Sequence, residues 1–172
     1  MTTIRTERLN MRPISPKDVD PLFALMSYPE VARMTGSWPI PADREFALSR
    51  CQPPEATRGF VNGVWCRGEM IGMVFIIDQE LGYALSPPFW GQGYASEAAT
   101  AAIEFGFEQY PWDEICAGVW IDNPASVKLL TKLGFENRPD TIGFCVARGE
   151  DLLSRQFALT RLRYESLRNN AA

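Results

Sequence analysis

Hydrophobic and polar positions alternate over short stretches of the chain and recur at helical spacing between them. Leu9 and Met11 alternate with Arg8, Asn10 and Arg12, which predicts a short half-buried strand stopped by Pro13. Ser15-Pro16-Lys17-Asp18 resembles a helix start, with Val19, Leu22, Phe23 and Met26 on one face. Pro21 is either awkward inside that helix or marks its true first turn. Residues 28–41, broken by Pro29, Gly36, Pro39 and Pro41, are expected to be short helical pieces and loop. Phe46 and Leu48 belong to a modest helix ending before Pro53-Pro54. Residues 59–77 form a hairpin turning at Arg67-Gly68-Glu69, and a third strand covers 81–85. An alanine-rich helix is predicted over 94–109, ended by Tyr110-Pro111. Residues 114–121 are a nearly unbroken apolar run, the pattern of a strand buried on both faces. Asp122-Asn123-Pro124 opens a helix that Gly134 closes. Two last strands, at about 141–147 and 156–161, flank a turn at Arg148-Gly149-Glu150.

This order predicts an α/β (mixed α+β) fold, with a strongly twisted, mixed but mainly antiparallel sheet of six to seven strands and helices on both faces. No linker or repeat interrupts the 172 residues, so residues 1–172 are expected to form a single domain. A composition 46% hydrophobic and 22% charged is that of a soluble globular chain. The net charge of −4, with scattered basic residues, argues against a nucleic-acid partner. No apolar run approaches the ~20 residues of a membrane span, and Met1-Thr2-Thr3-Ile4-Arg5 lacks a signal-peptide core. No membrane partner and a cytoplasmic location are therefore expected. Monomer and homodimer stay open.

The histidine count is zero, which excludes a Ser-His-Asp triad, a Cys-His nucleophile pair and a His-ligated metal centre. Cys51, Cys66, Cys116 and Cys145 are widely spaced and read as buried, reduced thiols, so no metal is expected. Chemistry here must run on carboxylates, hydroxyls, amides, backbone groups or a borrowed cofactor.

The most informative junction is Gly91-Gln92-Gly93, between a strand and a helix opening with Tyr94-Ala95-Ser96. Unpaired N–H groups and the positive dipole end make such a terminus a seat for phosphate, and glycines let an anion approach the backbone. A plain structural turn gives the same pattern. A P-loop would need a lysine that is absent. A dinucleotide fingerprint would need a third glycine where Ser96 stands, and too few residues follow Asp122, the candidate ribose acid, to complete that sheet.

Three stretches together resemble the GNAT superfamily of acyl-CoA-dependent N-acetyltransferases, in its RimJ/RimL-type branch. They are Thr6-Glu7-Arg8-Leu9-Asn10-Met11-Arg12-Pro13; the run from Gly82-Tyr83-Ala84-Leu85 through Trp90-Gly91-Gln92-Gly93-Tyr94-Ala95-Ser96-Glu97-Ala98; and Asn123-Pro124-Ala125-Ser126 continuing to Lys132-Leu133-Gly134-Phe135-Glu136. The superfamily loop is Arg/Gln-x-x-Gly-x-Gly/Ala. Gly93 and Ala95 fit it, and Trp90 departs at its first position. The resemblance implies acetyl-CoA as co-substrate. The N–H groups of Gln92, Gly93, Tyr94, Ala95 and Ser96 would hold its pyrophosphate, and the strand ending at Leu85 would pair with its pantetheine arm. Asn123, Ser126 and Leu129 would complete the cofactor side.

For Asn123, before Pro124, an N-cap alone is the alternative. Ser126 falls in a stripe with Leu129, Leu130 and Leu133, where its hydroxyl must bond either back to the backbone of Asp122 or Asn123 or to a ligand. By the resemblance, Ser126 would protonate or hydrogen-bond the leaving thiolate, and a free backbone N–H on the Leu81–Leu85 strand would stabilise the oxyanion. Glu80 is the candidate base acting through water, with Asp78 as runner-up. Alternatively Glu80 is a solvated turn residue, and the amine arrives neutral. Loop 28–41 with Arg33 and Trp38, and the hairpin bearing Trp65, are expected to wall the acceptor side. Five tryptophans suit an aromatic pocket or simply the core. The expected acceptor is a primary amine, of a protein N-terminus or a small molecule, and the acidic balance favours cationic ones. A catalytically inactive acyl-CoA-binding module is the main alternative, and a nicotinamide-binding protein a third.

Overall fold

The computed structural model describes residues 3–171. In chain order the elements are β1 (Ile4–Arg5), β2 (Asn10–Pro13), α1 (Val19–Met26), α2 (Pro29–Ala32), α3 (Arg44–Arg50), β3 (Gly59–Cys66), β4 (Glu69–Ile77), β5 (Glu80–Leu85), α4 (Tyr94–Gln109), β6 (Glu114–Trp120), α5 (Pro124–Lys132), β7 (Glu136–Cys145), β8 (Glu150–Thr160) and α6 (Arg161–Ala171). The strands form one eight-stranded sheet in the order β1-β2-β3-β4-β5-β6-β8-β7. Neighbours are antiparallel except β5 and β6, which run parallel and pair only at Glu80 and Cys116.

Two apolar layers cover the sheet. On one face Leu22, Leu25 and Met26 of α1, Val31 of α2 and Ala47 of α3 pack over Val61, Met73 and Ala84. On the other, Ala98, Ala102, Ile103 and Phe107 of α4 and Leu130 of α5 pack over Ile71, Val74, Ile76, Leu81 and Leu85. The alanines of α4 let it seat closely on the strands, as its sequence suggests. Before α1, the Asp18 carboxylate accepts from both the N–H and the hydroxyl of Ser15, so Ser15-Pro16-Lys17-Asp18 is indeed a helix entry. Pro21 lies in the first turn of α1, where a proline costs little.

The structure corrects the sequence reading at four places. The eighth strand is Ile4–Arg5, too short to leave a periodic signal. Strands β7 and β8 are ten and eleven residues long, well beyond the predicted spans, because a bulge between Arg138 and Thr141 carries the ladder past Pro139. Strand β6 is not buried on both faces. Ile115, Ala117 and Val119 are covered, whereas Cys116 is half-buried and Gly118 exposed, since the α1–α3 layer stops at β5. Helix α6 was not predicted, because Arg161 and its successors are mostly polar. Arg161 holds it by donating to the carbonyls of Phe107, Tyr110 and Trp112, and Tyr164 stacks on Phe107 with ring centroids 4.8 Å apart.

Leu130 is fully buried and ties α5 to the sheet. Leu130→Ala should cost about 2–5 kcal/mol of unfolding free energy, read from urea denaturation. A loss well under 1 kcal/mol would mean that α5 is held by something else.

Candidate functional site

The site begins at the break in the sheet. Cys116 N–H donates to Gln79 O at 2.8 Å, and beyond this pair β5 and β6 diverge. On the β4 side Ser86 N–H donates to Ile71 O at 2.8 Å. Alternation along a strand then turns Gly82 and Ala84 toward β4, and the N–H groups of Tyr83 and Leu85 toward the gap. The carbonyl of Leu85 is taken, accepting from Trp90 Nε1 at 2.7 Å. The tryptophan that departs from the superfamily loop therefore fastens that loop to the end of β5.

The gap leads to the N-terminus of α4. Its N-cap is Gly93, in a left-handed conformation at φ +83°, and Gly91 is also left-handed at φ +72°. No side chain caps the helix, and its first internal bond is Glu97 N–H to Gly93 O at 3.0 Å. The N–H groups of Tyr94, Ala95 and Ser96 thus point out of the helix end unpaired within it. Tyr94 itself is buried, its hydroxyl accepting from Cys66 Sγ, so it offers a ligand its backbone and not its ring. Gln92 uses its amide to bond Pro88 O.

The loop is braced from the far end of the chain. Arg8 donates through Nε to Glu97 Oε2 at 2.7 Å, through its backbone N–H to Glu97 Oε1 at 3.0 Å and through Nη1 to Gln92 O at 3.0 Å. Its guanidinium lies 4.4 Å above the Tyr94 ring. Thr6 donates to the same carboxylate. Burial works against ionisation of Glu97, but the hydrogen bonds from Thr6 and Arg8 outweigh it and hold the carboxyl below its ordinary range.

On the other side of the gap stands α5. Asn123 is its N-cap, Oδ1 accepting from Ser126 N–H at 3.1 Å. The capping alternative is therefore the geometry observed for Asn123. Ser126 and Leu129 are both half-buried, whereas Val127, Leu130 and Leu133 join the core. The inward stripe is thus Val127, Leu130 and Leu133, and Ser126 and Leu129 lie on its flank rather than within it. Among the described residues the Ser126 hydroxyl is not bonded back to Asp122 or Asn123. Near it from β5 is Tyr83, whose place in an alternating strand carries no signal of a site role in the sequence. Its phenolic oxygen is buried without a hydrogen-bond partner. Burial pushes its pKa up, and the nearby Ser126 hydroxyl pulls it part of the way back.

Glu80 is exposed at the vertex of the gap, paired with Cys116 and on the same face as Gly82 and Ala84. This is the face opposite Ser126, so the two predicted catalytic residues flank the gap from opposite sides of the sheet. Asp78, the runner-up, is left-handed at φ +49° in the tight β4–β5 turn. Its carboxylate is bound to Arg58, which holds it below the ordinary range and leaves it a poor base. Asp122 is likewise committed, bridging to Arg148 at 2.6 Å, so it is not a ribose acid.

Beyond the vertex, Gln156 Nε2 bonds Thr141 Oγ1 at 2.8 Å and Ser154 Oγ at 2.9 Å, next to Gly118. This polar floor was not anticipated; a glycine inside the apolar 114–121 run was its signal. The loop after α2 closes over the same end, with Arg148 Nε donating to Arg33 O at 3.0 Å and Val146 N–H to Gly36 O at 3.0 Å. Trp38, Trp112 and Trp120 are buried, Trp65 lies half-buried under Arg12, and Trp90 is exposed. Most tryptophans therefore serve the core, and Trp38 is no wall of a cleft. Among the described residues no group of three or more His, Cys, Asp or Glu could hold a metal ion, and no helix is long and apolar enough to cross a membrane.

Residues 8–136 match the acetyltransferase (GNAT) domain. The chain belongs to the GNAT acetyltransferase family, whose chemistry is acetyl-CoA-dependent acetyl transfer. It is 33% identical over 146 residues to an uncharacterized N-acetyltransferase, YoaA, of Bacillus subtilis, covering 77% of this chain and 82% of that one. It is 32% identical over 178 residues to an uncharacterized N-acetyltransferase, p20, of Bacillus licheniformis, covering 95% and 99%. In fold it resembles RimL, a ribosomal L7/L12 α-N-protein acetyltransferase solved with coenzyme A, with a TM-score of 0.79 at 17% identity over 92% of this chain and 98% of that one.

Because the Glu97 carboxyl is depressed in the folded state, its stabilising contribution is complete above the unfolded glutamate pKa and is lost as pH falls through the lower folded value. The stability gap between wild type and Glu97→Gln, followed by thermal unfolding, should therefore be full at pH 7 and close below about pH 4. A gap independent of pH would show that Arg8 and Thr6 do not act through the charge.

Proposed function

We propose that this chain transfers the acetyl group of acetyl-CoA to a primary amine, as a member of the RimJ/RimL-type branch, with a protein N-terminus or a small cationic amine as acceptor. The observation that carries the reading is the gap between β5 and β6, which runs from unladdered strand amides to an uncapped, glycine-headed helix end. Those groups suit the two halves of one ligand. The N–H groups of Gln92, Gly93, Tyr94, Ala95 and Ser96 suit a diphosphate, and the edge at Tyr83 and Leu85 suits the amide-bearing pantetheine arm. Leu129, half-buried beside Ser126, supplies apolar contact.

In the reaction the neutral amine attacks the thioester carbonyl. An N–C bond forms, the C–S bond breaks and the amine nitrogen loses one proton. A β5 N–H facing the gap stabilises the developing oxyanion. Ser126 donates a hydrogen bond to the departing sulfur. A thiol of pKa ~8.5 leaves readily with that help and takes its proton from solvent. Glu80, across the sheet, accepts the amine proton through water. An α-amine of pKa ~8 needs less of this help than a lysine of ~10.4, which favours an N-terminal or similarly weakly basic acceptor. The likeness to a ribosomal-protein N-terminal acetyltransferase supports the same choice.

Thiol release from acetyl-CoA, measured against peptides with free N-termini and a set of small amines, tests this. Turnover with at least one acceptor is expected; tight acetyl-CoA binding without turnover on any would leave an idle acyl-CoA-binding module. Gly93→Val should abolish acetyl-CoA binding with the far-UV spectrum unchanged, because a β-branched residue resists φ +83°. Ser126→Ala should lower kcat by at least about tenfold with little change in cofactor affinity. An unchanged rate would return Ser126 to helix packing.

A further inference from the structure

Tyr83 presents the one orphaned buried side-chain polar atom found among the described residues. Such an atom costs stability, and a native chain keeps it for a reason. A phenylalanine at this place would fill the same space beside the α4–α5 core without the penalty. The phenol lies on the face of β5 that meets α5, and Ser126 is its polar neighbour. The serine hydroxyl is close enough to act on the phenol as a hydrogen-bonding neighbour, yet no well-formed hydrogen bond joins the two. The phenol stays neutral and a donor through the ordinary pH range, since burial raises its pKa. Ser126 in turn stands on the flank of α5, next to the gap.

We infer that Tyr83 is the positioning residue for Ser126: unpaired without ligand, its phenolic O–H closes onto Ser126 Oγ as donor when acetyl-CoA fills the gap, which leaves the serine hydroxyl no better use for its own proton than the sulfur there. The Tyr83 side chain stays protonated throughout and touches neither substrate. A serine rotor with three staggered wells is thereby restricted to the one that faces the leaving group. The inference rests on the acetyl-transfer reading and names a side chain that the reading itself leaves unused.

Four proteins test it: wild type, Tyr83→Phe, Ser126→Ala and the double variant, each assayed by thiol release and by calorimetry with acetyl-CoA. Tyr83→Phe should lower kcat by about tenfold and leave KM and affinity for acetyl-CoA within about twofold. In the Ser126→Ala background the same change should be silent, because its route to the sulfur is gone. Tyr83→Phe should also unfold no earlier than wild type without ligand, since it removes an unsatisfied group. A residue serving structure alone would lose stability and rate together. Unchanged kcat in Tyr83→Phe, or an undiminished further loss in the Ser126→Ala background, overturns the inference while leaving acetyl transfer intact. Wild-type protein that releases no thiol with any acceptor overturns both.

Discussion

The sheet carries an interior edge that its own strands do not close. Backbone N–H and C=O groups inside a sheet are ordinarily spent on neighbours, and an open row of them invites another chain or ligand. Here β5 and β6 share the single pair Glu80–Cys116 and then separate. The α4–α5 layer bridges the separation on one face, and the loop after α2 reaches across the far end of the other. The order of strands, the closing helices and the position of every proposed site residue follow from that one divergence.

What keeps the gap ordered comes from distant parts of the sequence. Arg8, from the segment between β1 and β2, joins Glu97 of α4 to the carbonyl of Gln92, and so ties the glycine loop to the sheet's outer edge. Trp90 pins the same loop to the last carbonyl of β5. Arg148 links Asp122, just before α5, to Arg33. A loop rich in glycine would otherwise lose much of its backbone order as conformational entropy. With these braces its amides are aimed before a ligand arrives, which is the condition for strong anion binding by a helix end.

The helical and hairpin parts of the fold were legible in the sequence because their signals are local. The alanines of 94–109, the Asp122-Asn123-Pro124 entry and the turn at Arg67-Gly68-Glu69 each state their structure within a few residues. The glycine-headed start of α4 was legible for the same reason, and the superfamily resemblance adds Ser126 as a proposed neighbour. What escaped depends on contacts far apart in the chain. Helix α6 has little apolar face of its own and is held by Arg161 on carbonyls of the α4–β6 region. The open face of β6 reflects where the α1–α3 layer ends, which no apolar run in 114–121 can reveal. Spacing alone puts Ser126 in the core stripe, because three- and four-residue steps do not distinguish the stripe's centre from its flank. Tyr83 passed as one more aromatic strand residue, since an unpaired phenol becomes visible only when its surroundings are known.

The open edge is best tested by amide hydrogen exchange, resolved residue by residue, with and without acetyl-CoA. Exchange should slow at Tyr83 and Leu85 and from Gln92 through Ser96, while the outer β7–β8 hairpin is unaffected. Bound acetyl-CoA that leaves those amides exchanging as before, or slows them only elsewhere, would contradict a site built on the parted strands.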